Sequence, residues 1–213
     1  MKLKIHKGMP RGVINAPPSK SMAHRLLISA AMADGTSVIH GVSECEDVRA
    51  TIECLEALGV SISQTGSDVT VKGINMRNTT PSHALNCHES GSTLRFLLPI
   101  ALLSGKNVLF SGEENLMRRP MDVYEKLCNN GGYAYNADGC SIAVCGPLKA
   151  GEYEVAGNIS SQFISGLLFA LPTLPGDSII KILPPVDCLQ HDDYPQPAWH
   201  PQRQQRGEHQ YGR

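Results

Sequence analysis

The chain holds a single tryptophan, few aromatic residues of any kind (5%), and almost no net charge: 19 basic side chains face 20 acidic ones, for −1 at pH 7. That balance removes the general electrostatic case for binding nucleic acid, and the mildly basic start at Lys2, Lys4, Lys7 and Arg11 reads as solvated strand ends. The longest apolar run, Phe96 to Leu103, is too short to span a bilayer. Met1-Lys2-Leu3-Lys4 is not followed by the apolar stretch of a secretory signal. Seven cysteines are odd in number and scattered without a C-x-x-C pair, and Cys140 and Cys145 flank a strand candidate rather than forming a metal knuckle. Reduced thiols in a cytoplasmic protein are therefore expected, not a disulfide framework or a zinc site. A length of 213 residues suits one large domain or two small ones.

What the chain does have is a dense polar motif near its start, Pro17-Pro18-Ser19-Lys20-Ser21-Met22-Ala23-His24-Arg25. The prolines disfavour helix in the residue before each, so a helix is expected to begin at the small polar residues that follow. Its first turns would carry Lys20 and Arg25. Unpaired N–H groups and partial positive charge at a helix N-terminus, joined by two cations and two hydroxyls, suit a phosphate or carboxylate.

The chain then repeats the design. Ser19 to Gly35, Glu89 to Gly105 and Ser160 to Gly176 align without gaps, and their terminal glycines lie 70 and 71 residues apart. Each segment opens on small polar residues, continues as an apolar helix, ends at a glycine expected to close it, and leads into a β-type run. Those runs are Ser37–His40, Asn107–Phe110 and Ser178–Lys181. The first two units hold a second helix, Asp47 to Leu58 and Met121 to Asn129, followed by two strands with hairpin punctuation at Gly66-Ser67-Asp68 and Asp138-Gly139. A strand is expected before each first helix, most clearly at Tyr153-Glu154-Val155. The unit reads β-α-β-α-β-β, an α/β layering with helices covering sheet faces.

These residues resemble the enolpyruvyl transferase family, in its EPSP synthase (3-phosphoshikimate 1-carboxyvinyltransferase) branch. The resemblance rests on Pro18-Ser19-Lys20-Ser21 with Arg25, on Ser90-Gly91-Ser92-Thr93-Leu94-Arg95, on Arg119-Pro120-Met121, on Ser160-Ser161-Gln162-Phe163, and on Leu183 to Val186. It implies an inside-out α/β barrel globule of β-α-β-α-β-β units about a pseudo-threefold axis. The units would span about 13–73, 82–146 and 152–186, the third truncated. The implied reaction moves the enolpyruvyl group of phosphoenolpyruvate to the 5-hydroxyl of shikimate 3-phosphate and releases phosphate. No metal or organic cofactor is implied, and the expected partners are these two small molecules, with neither nucleic acid nor membrane and with a monomeric state.

Carried across residue by residue, the resemblance makes Lys20 the catalytic cation, touching phosphoenolpyruvate and the attacking hydroxyl. Ser21 and Arg25 would hold the shikimate carboxylate, Ser160 and Ser161 the 3-phosphate, and Gln162 the shikimate ring. Gly91 would bring a backbone N–H to phosphoenolpyruvate, and Arg119 would pair with the same substrate. Arg95 is read as a cation on the helix flank. Glu89 stands where many relatives carry Asn, an awkward anion beside a phosphate.

The pattern stops abruptly after Asp187. Residues 188–213 are rich in Gln, His, Pro and Arg, and Leu189 is their only aliphatic branched residue, so a disordered tail at 187–213 is expected. A frameshift or shortened gene near Asp187–Cys188 is the reading suggested by that break, with the chain inactive alone. Two alternatives remain open. One is UDP-N-acetylglucosamine enolpyruvyl transferase, which uses Lys-Asn where this chain has Lys20-Ser21; the other is a non-catalytic anion-binding fragment.

Overall fold

The computed structural model describes residues 3, 4, 8 and 11–183. Lys2, Lys7, Cys188, most of the Leu183–Val186 motif and the 187–213 tail lie outside the described residues.

Three units follow one another along the chain. The first holds α1 (Lys20–Met32), β1 (Thr36–Ile39), α2 (Glu46–Ala57), β2 (Ser61–Thr65) and β3 (Asp68–Lys72). The second holds β4 (Leu85–Asn86), α3 (Gly91–Ala101), β5 (Asn107–Ser111), the one-turn α4 (Glu114–Met117), α5 (Asp122–Gly131), β6 (Ala134–Ala137) and β7 (Ser141–Cys145). The third holds β8 (Glu152–Ala156), α6 (Ser161–Ala170) and β9 (Ile179–Leu183).

Strand pairing exposes the repeat directly. The sheets run β1-β3-β2, β4-β5-β7-β6 and β8-β9. β1 pairs antiparallel with β3, Thr36 opposite Lys72, and β5 pairs antiparallel with β7, Asn107 opposite Cys145. β4 with β5 and β8 with β9 are parallel pairs, each bridged by its unit's first helix. The units are thus the same sheet read through different windows. Gly73 and Gly146, just after β3 and β7, serve the same contact: a Cβ would stand 1.9 Å from the Ala33 carbonyl oxygen at the first and 2.0 Å from that of Leu102 at the second.

Helices fill the centre and sheets form the outside. α3 is buried along almost its whole length, from Gly91 through Ala101 except Ser92 and Arg95, because it packs against α1, α2 and α6. A helix apolar on every face belongs in such an interior. Burying Phe163 or Leu167 of α6 completely stabilises this packing by roughly 1.5–3 kcal/mol each. α3 and α6 approach closely at Gly166, where a Cβ would stand 2.4 Å from the Arg95 carbonyl oxygen.

The structure departs from the sequence reading at three places. Among the described residues no strand precedes α1: residues 11–19 are exposed and pair with no sheet. The strand before α3 is only two residues long. Of the three repeat-closing glycines, only Gly105 (φ 64°) caps a helical turn directly; α1 ends on extended Ala33, and Gly35 and Gly176 sit in the following turns. Extended caps close these ends as well, because the Ala33 and Leu174 amides bond back to Ala30 and Leu171.

Candidate functional site

Four helices begin at one open cleft of about 390 Å³. α1 brings Lys20, α2 Asp47, α3 Gly91, Ser92 and Arg95, and α6 Gln162; Glu89 and Arg119 come from the loops before α3 and α5. Three of these helices start at serine caps. Ser19 accepts from the Met22 amide, Ser90 from the Thr93 amide and Ser160 from the Gln162 amide. Capping takes one free N–H each, and the remaining N–H groups with the helix dipoles leave the mouth favourable to anions.

Side chains bridge the units across this cleft. Lys20 Nζ meets Asp47 Oδ2 at 2.5 Å, and that hydrogen bond, with the carboxylate charge, raises the Lys20 pKa, so the ammonium is the stable form. Gln162 accepts from Arg95 Nη1 at 2.8 Å and donates to Ser92 Oγ at 2.8 Å, tying α6 to α3. The Arg95 guanidinium lies 5.1 Å from the Phe163 ring centroid. Burial, and secondarily the Arg119 charge, pull the Arg95 pKa below its usual value. At Gly91 a Cβ would stand 2.8 Å from Arg119 Nη1, so the missing side chain lets this guanidinium lie against the α3 start.

Of the residues singled out from sequence, the cleft brings together Lys20, Gly91, Arg119 and Gln162. Ser21, Arg25, Ser160 and Ser161 do not line it. Arg25 folds back to the Ser21 carbonyl at 2.8 Å, with its guanidinium 5.0 Å from the Phe96 ring centroid. Ser160 caps α6, and Ser161 is exposed in its first turn. Arg95 is not the helix-flank cation of the sequence reading. It stands one turn after Gly91 on the same face, and that spacing was the available signal. Asp47 was missed because an acid in a first helical turn is ordinary dipole chemistry. Glu89 faces the cleft, exposed, among the cations.

A larger groove of about 560 Å³ lies at the far end of α1, but Asp34 and Arg77 are its only charged lining residues. The six described cysteines are free thiols. No helix among the described residues is long and apolar enough to cross a membrane.

The family profile for EPSP synthase (3-phosphoshikimate 1-carboxyvinyltransferase) matches residues 7–187. A 3-phosphoshikimate 1-carboxyvinyltransferase of Clostridium beijerinckii is 45% identical over 188 residues, 84% of this chain and 43% of that protein. One from Clostridium perfringens is 44% identical over 174 residues, 81% of this chain and 41% of that protein. The EPSP synthase structure from Acinetobacter baumannii superimposes with a TM-score of 0.71 at 27% identity, over 82% of this chain and 41% of that one. This chain therefore spans less than half the length of the relatives it matches.

Proposed function

The chain belongs to the EPSP synthase family, and from that premise we propose that it is the N-terminal half of a 3-phosphoshikimate 1-carboxyvinyltransferase. Its cleft is the first-half binding surface for shikimate 3-phosphate and phosphoenolpyruvate. The supporting observation is the convergence of Lys20, Arg95, Arg119 and Gln162, from all three units, at four helix starts. Both substrates are multiply anionic, and a concave group of fixed cations and N–H dipoles is what such substrates require.

In this reading the 5-hydroxyl of shikimate 3-phosphate adds to the enol carbon of phosphoenolpyruvate while a proton goes to its methylene carbon. Loss of phosphate and of a methyl proton then restores the vinyl ether. Lys20 lies beside the attacking oxygen and the transferred group, held as an ammonium by Asp47. Arg119 and the Gly91 amide receive the phosphoenolpyruvate phosphate, and Arg95 adds a second guanidinium there. Gln162 presents its amide to the shikimate ring, while Ser160 and Ser161 at the α6 start take the 3-phosphate. Ser21 and Arg25 take the carboxylate once Arg25 swings from the Ser21 carbonyl. In this reading the family region runs to about residue 186, in line with the profile match over residues 7–187.

Positioning of two reactants between opposed surfaces supplies about 7–11 kcal/mol of barrier lowering in favourable cases. The chain alone is therefore a weak binder of shikimate 3-phosphate without turnover. Calorimetry on the purified chain tests this: weak heat with shikimate 3-phosphate, lost in Lys20→Ala, is expected. No heat in the wild-type protein overturns the assignment of the cleft. Phosphate release that needs both substrates and disappears in Lys20→Ala shows instead that this half suffices.

A further inference from the structure

A buried chain of polar side chains joins three of the helices that start at the cleft. His24 Nδ1 lies 2.7 Å from Thr51 Oγ1, and Thr51 Oγ1 lies 2.7 Å from Thr93 Oγ1. Thr93 Oγ1 donates to Ser90 Oγ at 2.7 Å. All four residues are buried, His24, Thr51 and Thr93 completely. Their positions follow a rule. His24 comes four residues after Lys20 in α1, and Thr51 four after Asp47 in α2, so each sits one turn behind a cleft residue on the same face of its helix. Thr93 stands two residues after Gly91, and Ser90 caps α3.

The hydrogens along this chain have a consistent direction. Ser90 Oγ accepts the Thr93 amide at 3.2 Å and the Thr93 hydroxyl at 2.7 Å. With its hydrogen so placed, the Thr93 oxygen accepts from the Thr51 hydroxyl, and the Thr51 oxygen accepts from the ring N–H of His24. The Asp47 carbonyl, 3.4 Å from both threonine oxygens, is the poorer acceptor. This order puts the imidazole hydrogen on Nδ1 and leaves Nε2, buried without a partner among the described residues, bare.

We propose that His24, Thr51 and Thr93 are positioning residues, whose hydrogen-bond chain fixes the spacing of the α1, α2 and α3 N-termini and so of Lys20, Asp47 and the Gly91–Ser92 amides across the cleft. The inference rests on the reading of that cleft as an anion site. Apolar side chains of equal size would fill the same volume but let neighbouring helices slide at little cost. A buried polar chain linked by hydrogen bonds does not, because any shift leaves a further buried donor or acceptor unmatched. The ion pair at Lys20–Asp47 lies directly above the chain and inherits its geometry.

Amide spectra of the isotope-labelled full chain, titrated with shikimate 3-phosphate, test the proposal. Thr93→Val keeps the shape and removes the hydroxyl; Thr93→Ser keeps the hydroxyl. Thr93→Val should weaken binding about tenfold and move the Lys20, Asp47 and Gly91 amide signals, and Thr93→Ser should restore both to near wild type. The wild-type His24 ring should show hydrogen on Nδ1. A lower melting temperature with unchanged affinity and unchanged signals overturns the proposal, as does hydrogen on Nε2 or failure of Thr93→Ser to rescue. If the wild-type chain binds no shikimate 3-phosphate, the functional reading fails by itself. The free-protein signals then decide: movement at all three helix starts supports positioning, and silence overturns it. Should Thr93→Val not fold, Thr51→Val interrupts the same chain and is read identically.

Discussion

Tyr124 donates its hydroxyl to the backbone carbonyl of Arg95 at 2.7 Å. That carbonyl lacks its intrahelical donor because the residue four further on is Pro99, inside α3. One tyrosine thus repairs the helix that carries a cleft arginine, and its ring packs edge-on against Phe163 of α6 with centroids 4.9 Å apart. The cost of a proline within a central helix is offset by α5 of the same unit, and α3 stays helical through the cleft.

Tyr124→Phe leaves the part-buried Arg95 carbonyl without this donor and opens no cavity. A loss of about 1–3 kcal/mol is expected, read from urea unfolding midpoints at unchanged slope. Stability equal to wild type would mean that the hydroxyl adds nothing to α3.

Gly91→Ala places a methyl group 2.8 Å from Arg119 Nη1. The far end of a flexible side chain yields easily, and alanine is about 1 kcal/mol better than glycine within a helix. The melting temperature should hold or rise slightly while Arg119 is displaced. Titration with phosphoenolpyruvate over saturating shikimate 3-phosphate should then show weakening of about tenfold; an unaltered response counts against Arg119 as a cleft cation.

Gln162→Ala removes the bridge from Arg95 to Ser92. The side chain is half-buried, so stability should fall by only about 1 kcal/mol. Calorimetric affinity for shikimate 3-phosphate should drop by about a decade, because the Arg95 guanidinium loses its acceptor and α6 its tie to α3. A pure stability loss with full affinity would reduce Gln162 to packing.

His24 supplies a pH dependence. Burial lowers its pKa from 6.5 to about 4, with Lys20 and Arg25 adding to the effect and Asp47 opposing it. Between those values the unfolded chain takes up a proton that the folded chain refuses. Stability from this group is therefore complete above pH 6.5 and lost progressively as pH falls towards 4, by about 3 kcal/mol in all. Denaturant midpoints for wild type and His24→Gln across that range should show the steeper acid slope only in wild type.

The sequence alone determined the elements that depend on neighbours along the chain. The Ser19 and Ser160 caps, the hairpin turns at Gly66-Ser67 and Asp138–Cys140, and the two strands after each second helix all appear where turn chemistry and periodicity put them. The repeat of 70 to 71 residues was likewise legible, because one packing solution used three times leaves the same glycines and apolar runs in each copy. Family motifs placed Lys20, Gly91, Arg119 and Gln162, and the structure draws these into one cleft.

Only the tertiary structure decided what depends on residues far apart. Arg95 looks like any surface cation until Gln162, 67 residues later, is seen to accept from it. His24, Thr51 and Thr93 look like unremarkable polar residues within apolar helices, and their bonds span 27 and 42 residues. The missing strand before α1 is a matter of pairing partners, which a local pattern does not contain. Caps and turns are satisfied by atoms a few residues away, so sequence encodes them directly. Burial and cross-helix hydrogen bonds are set by which helices meet, and that is fixed only when the three units close around α3.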